Sequence, residues 1–326
     1  MPLPNQQDFL RQYNYSEDAI EKCGISWEEL NEIYELHLSR IDSLEATAKY
    51  ITDLLRRLPE VHSLRFRIKD AEHLVEKIIR KRLADSTRDI NKSNYEHEIT
   101  DLIGIRALHL FKQDWEAIHS FLTNEFETKE KPKAYVREGD TQEIYSAQNC
   151  DVEVHRSGYR SVHYLISSQP SKKLCVAEVQ VRTLFEEGWS EIDHRLRYPY
   201  DTENILLSQL LALLNRLAGS ADETGSYVSL LQEHLSVQEG DQQRTMESVQ
   251  KLEQELNHVI SELKVTGGQK EELEQKVSAL SAQVKESQVS TSNGLMMFGH
   301  LSVLREAGLE PTTFEKTISL INQMRG

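Results

Sequence analysis

Cysteine is scarce in this chain: three in 326 residues, Cys23, Cys150 and Cys175, with no C-x-x-C pair among them. An odd, scattered set argues against a disulfide framework or a structural zinc site and suits a reducing cytoplasm. Long apolar runs are missing as well. No stretch approaches the ~20 residues of a membrane span, so no membrane partner is expected. The first residues, Met1-Pro2-Leu3-Pro4-Asn5, lack the basic-then-apolar order of a secretory signal. Positive charge is also short. Against 53 Asp and Glu stand 38 Lys and Arg, a formal net charge of -15 that repels long polyanions at a distance.

What is present is a soluble chain, 38% hydrophobic and 28% charged, long enough for about two domains. The basic residues are unevenly placed. Arg65 to Lys92 holds nine Lys and Arg against five acids. A local basic patch on an acidic chain suits a bounded anion, such as a nucleotide phosphate, better than an extended nucleic acid.

Residues 1–60 read as a helical packing segment. Trp27, Leu30, Ile33, Ile41, Leu44, Ile51 and Leu55 recur at three- and four-residue steps, Ser26 and Glu29 form a capping-box pattern, and Pro59 closes the run. His62 to Lys69 reads as a short connection before a helix from Asp70 to Leu83. On that helix Lys77 and Lys81 share a face, and its N-terminus beside Arg67 and Lys69 offers an anion site. Asp101-Leu102-Ile103-Gly104-Ile105-Arg106 opens a buried strand with a carboxylate at its rim, a natural place for Mg²⁺. Asp114 to Phe126 follows as a crossover helix. Glu127 to Gln148 is polar and irregular, with short strands expected near Tyr135 and Ile144.

The most informative stretch is His155 to Arg182. A Gly158-Tyr159 loop leads into a strand, a polar turn, and a second strand in which Glu178, Gln180 and Arg182 fall on one side and Ala177, Val179 and Val181 on the other. Thr183 to Leu196 is then a helix carrying Glu187, Glu191 and His194 on one side. Further helices are expected at Ile205–Leu217 and Tyr227–Leu235, separated by a polar segment. From Gln242 a heptad pattern appears, with Val249, Leu252, Leu256, Val259 and Leu263, resumed at Leu273, Val277, Leu280 and Val284. Across Gly267-Gly268 the helix either continues and dimerises or turns back as a hairpin. The last residues read as a small two-helix cap.

Taken together, Arg67-Ile68-Lys69, Asp101-x-x-Gly104-x-Arg106, Gly158-Tyr159-Arg160-Ser161-x-His163, Glu178-x-Gln180-x-Arg182-Thr183 and Trp189-x-x-x-Asp193-His194 resemble, in order and spacing, the synthetase domain of RelA/SpoT alarmone synthetases. The resemblance covers about Leu54 to Tyr200. It implies an α/β (α+β) nucleotidyltransferase-like mixed sheet flanked by helices, followed here by an all-α coiled-coil extension. It implies a GTP diphosphokinase that uses Mg²⁺ and transfers pyrophosphate from ATP to the ribose 3′-hydroxyl of GDP or GTP. By the same resemblance Arg67 and Arg106 sandwich adenine, and Lys69 and Lys77 contact the ATP phosphates. Asp101 holds the metal, with Glu178 completing that site or accepting the hydroxyl proton. Tyr159 stacks on the acceptor base, and His163, Gln180 and Arg182 position phosphates and ribose. His155 joins the acceptor loop, and His194 supports the shell.

The chain departs from the family where a lysine and an asparagine usually precede Gly-Tyr; here His155 and Ser157 stand. His73 replaces a usual serine. These changes leave the acceptor open, so the tRNA 3′ end and adenine nucleotides are alternatives to a guanine nucleotide. A non-catalytic nucleotide-binding scaffold is the third reading. No hydrolase domain is expected, since residues 1–60 are too short for one. The expected organisation is an N-terminal helical segment (1–60), a synthetase domain with trailing helices (61–236), a coiled coil (237–290) that makes a homo-oligomer, and a cap (291–326).

Overall fold

The computed structural model describes residues 3–171, 173–197 and 204–262, with isolated positions 275–276, 278–279 and 282. It divides into two compact units, residues 1–226 and 227–326.

The first unit is built on helix α3 (Trp27–Leu55), preceded by α1 (Gln6–Gln12) and α2 (Ala19–Cys23). Ser26 caps α3 as expected, its hydroxyl accepting from the Glu29 N–H at 3.1 Å. The N-terminal half of α3 packs Leu30 and Ile33 into a cluster with Phe9, Leu74 and Ile78, where α4 (Ala71–Ala84) lies. Its C-terminal half packs Ala48, Ile51 and Leu55 against a sheet. Each fully buried aliphatic side chain contributes about 1.5–3 kcal/mol, so one long helix ties two cores together.

Among the described residues seven strands form one mixed sheet, ordered β1 (Ser63–Ile68), β2 (Ile103–His109), β7 (Cys175–Thr183), β6 (Ser161–Ser168), β4 (Lys133–Val136) and β5 (Asp151–Val154). A short β3 (Glu127–Thr128) adds to β6. β2 and β7 run parallel; β1 pairs antiparallel with β2, and β6 with β7. One sheet face carries Ile105, Tyr164, Val179 and Val181 against α3 and helix α6 (Asp114–Glu125). The Tyr164 hydroxyl there accepts from Trp115 Nε1 at 3.0 Å and lies 3.0 Å from His119 Nδ1, so this buried phenol is not left unpaired. The small helices α5 (Tyr95–Glu98) and α7 (Glu143–Ala147) lie in the connections. After β7 come α8 (Leu184–Arg197) and α9 (Ile205–Glu262).

The structure differs from the sequence expectation in several places. His62 to Lys69 is not a plain connection: Ser63–Ile68 is strand β1, an edge strand whose arginines alternate with apolar residues. Ile144 lies in helix α7, not a strand. The segment 218–226 does not break the helix. Its small residues allow close approach instead: a Cβ on Gly219 would stand 2.9 Å from Arg137 Nη1 and 3.3 Å from Arg160 Nη1. The basic stretch from Arg65 to Lys92 is not one free patch either. Arg82 is buried and donates to the carbonyls of Cys23, Gly24 and Ile90, and Lys81 donates to Glu98 O. The N-terminus of α4 is closed by its own cap, Asp70, whose carboxylate accepts from the N–H groups of Glu72 and His73.

The second unit, by itself, is described as helix from Tyr227 to Glu262 and at a few later positions. The weak heptad around Gly267-Gly268 and the cap at 291–326 lie outside the described residues.

A buried ionic cluster joins α8 and the start of α9 to the sheet. Arg160, 5% exposed, lies 3.6 Å from Glu186 and 3.7 Å from Asp222, which is fully buried. Burial, and then the Glu186 charge, push the Asp222 carboxyl up to about 7. An acid raised in the folded state binds a proton that the unfolded chain releases, so it costs stability as pH rises from about 4 to about 7. Asp222→Asn mimics the protonated form. At pH 8 it is expected to raise stability by about 1 kcal/mol, or about 3 °C in melting temperature, and at pH 5 to change little. Thermal melts at both pH values check this; a variant less stable at pH 8 than at pH 5, relative to the parent, contradicts it.

Candidate active site

The sheet face opposite the apolar core is polar, and strand register decides what meets on it. Gly104 pairs with Arg67 on one side and Glu178 on the other; Arg106 pairs with Arg65 and Gln180; His163 pairs with Gln180. Side chains of these paired positions project to one face, so four strands contribute to one surface. Gly104 leaves the Arg67 side chain room to lie across the strand, its Cγ 3.5 Å from where a Cβ would be.

This face floors an open cleft of about 430 Å³. Arg67, Asp101, Arg106, Tyr159, Glu178, Gln180, Arg182 and His194 all line it. Eight of the twelve residues singled out in the sequence are thereby brought together. Lys69 and Lys77 stand behind Asp101, and His163 stands behind Tyr159 and Glu178. His155 is in the loop before Gly158, its ring 5.5 Å from that of Tyr159.

Asp101 sits just before β2, between two ammonium groups. Lys77 Nζ is 2.8 Å and Lys69 Nζ 3.1 Å from the same oxygen, Oδ2. Burial alone would raise this carboxyl, but Lys77 and Lys69 outweigh it and hold it below the usual aspartate range. Burial in turn lowers Lys69, partly offset by Asp101. Oδ1 is buried and has no hydrogen-bond partner. Glu178, on β7, lies beside it. Burial opposes its charge, yet His163, 3.4 Å away, and the Gln180 amide, donating at 2.9 Å, hold it below the usual glutamate range. A hard dication takes one or two carboxylates plus phosphate oxygens. An ionised pair with an unmet oxygen at the cleft floor has the chemistry that Mg²⁺ favours.

From Glu178 a chain of contacts runs along β7. Arg182 Nη2 donates to Gln180 Oε1 at 2.9 Å, Arg182 Nη1 donates to Ser190 at 3.0 Å, and the guanidinium lies 5.5 Å from the centre of the Tyr159 ring. The Tyr159 hydroxyl is 3.0 Å from His163 Nε2. Arg182 is therefore not a free phosphate ligand: at 2% exposure it is an internal post that fixes Gln180 and one side of Tyr159.

Three residues were not assigned a role from the sequence. Glu187, 6% exposed, lies 2.9 Å from Arg106 Nη1 and 2.8 Å from Arg182 Nε, bridging the two arginines. Glu191 is a second partner of Arg106. Burial would lower the Arg106 guanidinium, but these two acids raise it. Tyr135, on β4, packs its ring 4.9 Å from His163 and 5.8 Å from Tyr159, backing the loop before β6. The helical spacing of Glu187 and Glu191 put them on one side of α8 but could not say which arginines they face; the short strand expected near Tyr135 is β4, but nothing in the sequence set its ring beside His163.

Fold and cleft together define a mixed α/β domain with a carboxylate pair and oriented guanidinium groups on one open sheet face. Residues 66–203 match the family model described as "Region found in RelA / SpoT proteins". The chain is 22% identical over 191 residues to GTP pyrophosphokinase YwaC of Bacillus subtilis, covering 57% of this chain and 81% of that protein. Similar solved structures include the small alarmone synthetase 1 from Bacillus subtilis, at 20% identity, 64% of this chain, 97% of that chain and a TM-score of 0.43. Another is a GTP pyrophosphokinase family protein from Streptococcus pneumoniae, at 22% identity, 61% of this chain, 92% of that chain and a TM-score of 0.41.

Glu187→Ala is expected to leave two guanidinium groups without their shared counter-charge. Breaking a buried pair from one side costs about 3 kcal/mol or more. A melting temperature within a degree of the parent would show that Glu187 does not carry the bridge.

Proposed function

We propose that this chain is a GTP diphosphokinase that transfers pyrophosphate from ATP to the ribose 3′-hydroxyl of GDP or GTP. The observation that carries the reading is the ionised Asp101–Glu178 pair at the floor of a cleft walled by Arg67, Arg106 and Tyr159. The RelA/SpoT match and the relation to a GTP pyrophosphokinase support the same chemistry.

In this reading Arg67 and Arg106 hold the adenine between guanidinium planes, and the Glu187 and Glu191 contacts keep Arg106 oriented before the base arrives. Lys69 and Lys77 neutralise Asp101 and meet the ATP phosphates. Asp101 and Glu178 would hold Mg²⁺, which when bound would screen the phosphate charge. The acceptor base stacks on the face of Tyr159 not taken by Arg182, with Gln180, His163 and His155 around the ribose and phosphates. The 3′-oxygen attacks the β-phosphorus in line. A bond from that oxygen to the β-phosphorus forms, the bond to the α,β-bridging oxygen breaks, and AMP leaves. Glu178 remains ionised, so it accepts the hydroxyl hydrogen bond and orients the attacking oxygen. The proton passes on to solvent, since a carboxylate with a lowered pKa is a weak base.

The heptad-bearing C-terminal region supports self-association as the homo-oligomeric part of the protein, which light scattering on the full chain would read.

An acceptor screen with ATP labelled in the β-phosphate decides the substrate. Transfer to GDP or GTP is expected. Transfer only to tRNA or adenine nucleotides would replace the acceptor, and nucleotide binding without turnover on any acceptor would replace the enzyme by a scaffold. Asp101→Ala and Glu178→Ala are each expected to lower kcat by 10³-fold or more, on the order of the ~4 kcal/mol that a group acting on the reacting centre supplies. Activity retained in either folded variant removes that residue from the mechanism.

A further inference from the structure

The acceptor loop is held from outside the strands that carry the cleft. Gly158 has φ +77°, a backbone conformation that side chains disfavour, and its N–H donates to His155 O at 2.9 Å to close a turn. Its carbonyl accepts from Asn215 Nδ2 at 2.8 Å. Asn215 lies on α9, far along the chain, and is 2% exposed. Its Oδ1 faces Arg137, and a Cβ on Gly158 would come within 3.1 Å of its amide nitrogen. The same stretch of α9 is fixed on either side of Asn215. Trp189 Nε1 donates to Leu211 O at 2.9 Å, and Asp222 faces Arg160, two residues after Gly158. A buried amide that bonds only to this loop and its neighbour has no evident need in the α9 helix itself, where apolar packing would serve.

From this geometry we propose that Asn215 is a positioning residue for acceptor recognition: through the Gly158 carbonyl it sets the backbone that presents Tyr159 to the acceptor base. The inference rests on the pyrophosphate-transfer reading and adds to it an element outside the RelA/SpoT-matched residues 66–203. Asn215 touches neither nucleotide. Its loss lets the Gly158 turn relax, so Tyr159 meets the acceptor in many poses while the ATP side, built on β1, β2 and α8, stays in place.

The experiment compares the full-length parent with Asn215→Ala, the isosteric Asn215→Asp, which replaces the donor with an acceptor, and Thr224→Ala. Thr224 is on the same helix, and its hydroxyl only donates back to Ser220 O. Initial rates are measured against guanine nucleotide at saturating ATP and against ATP at saturating guanine nucleotide. Both Asn215 variants are expected to raise the acceptor KM about tenfold, with ATP KM unchanged and kcat within about threefold. Thr224→Ala should match the parent. Unchanged acceptor KM overturns the proposal, as does a parallel rise of both KM values with a lowered melting temperature, which marks a purely structural role. A second readout does not depend on turnover: the rate of trypsin cleavage after the exposed Arg156, followed by mass spectrometry. Faster cleavage in either folded Asn215 variant is expected, and equal rates in all four proteins overturn the loop-holding role. If the parent transfers to no acceptor, the functional reading fails, and the cleavage rates still decide whether Asn215 holds the loop.

Discussion

Strand β7 lies between β2 and β6 and can occupy only one register. Ala177, Val179 and Val181 are buried in the apolar core, while Glu178, Gln180 and Arg182 belong to the opposite face. A slip of one residue would drive a carboxylate, an amide and a guanidinium into that core and lift three apolar side chains into the cleft. Every other position in the site follows from this constraint. It aligns Glu178 with Gly104, Gln180 with Arg106 and His163, and so places three strands' chemistry in contact. The stability of the core and the geometry of the cleft are therefore two consequences of one pairing.

The second organising feature is how the cleft's cations are held in a chain of net charge -15. Lys69 and Lys77 share Asp101, Arg106 has Glu187 and Glu191, and Arg182 has Glu187. Apart from Arg106–Glu191, whose carboxylate is half exposed, none of these is a loose surface pair, whose contribution would be small. They are partly or wholly desolvated, so each is costly to form and strongly oriented once formed. The guanidinium planes of Arg106 and Arg182 are thereby fixed in place. The two lysines differ from the arginines in this respect. They converge on one carboxylate oxygen and leave the other unmet.

Patterns local in sequence were legible before the structure. The alternation along β7, the Ser26 cap and the glycine turn at Gly158 each depend on residues a few positions apart. The basic stretch around α4 was misleading for the same reason. Composition showed the charges, but Asp70, Arg82 and Lys81 are consumed by caps and carbonyls that only the packed helices reveal. Glu187 was visible on a helix side, yet its two arginines come from β2 and β7, about 80 and five residues away. Tyr135 and Asn215 fell in an expected strand and an expected helix, but their partners were not legible, because these are set by sheet order and by the docking of α9.

The acceptor loop shows why such distant contacts matter. His155 Nδ1 lies 2.9 Å from Ser157 Oγ, so the two residues that depart from the family pattern satisfy each other. The loop thus offers shape and stacking more than charge, through Tyr159 backed by Tyr135 and His163. Stacking is tolerant of ligand identity but sensitive to the angle of the ring. In the proposed reading, discrimination therefore rests on whatever fixes the backbone beneath the tyrosine. The backbone beneath it is the Gly158 turn, pinned on one side by β6 and on the other by a helix that begins after the site's own strands have ended.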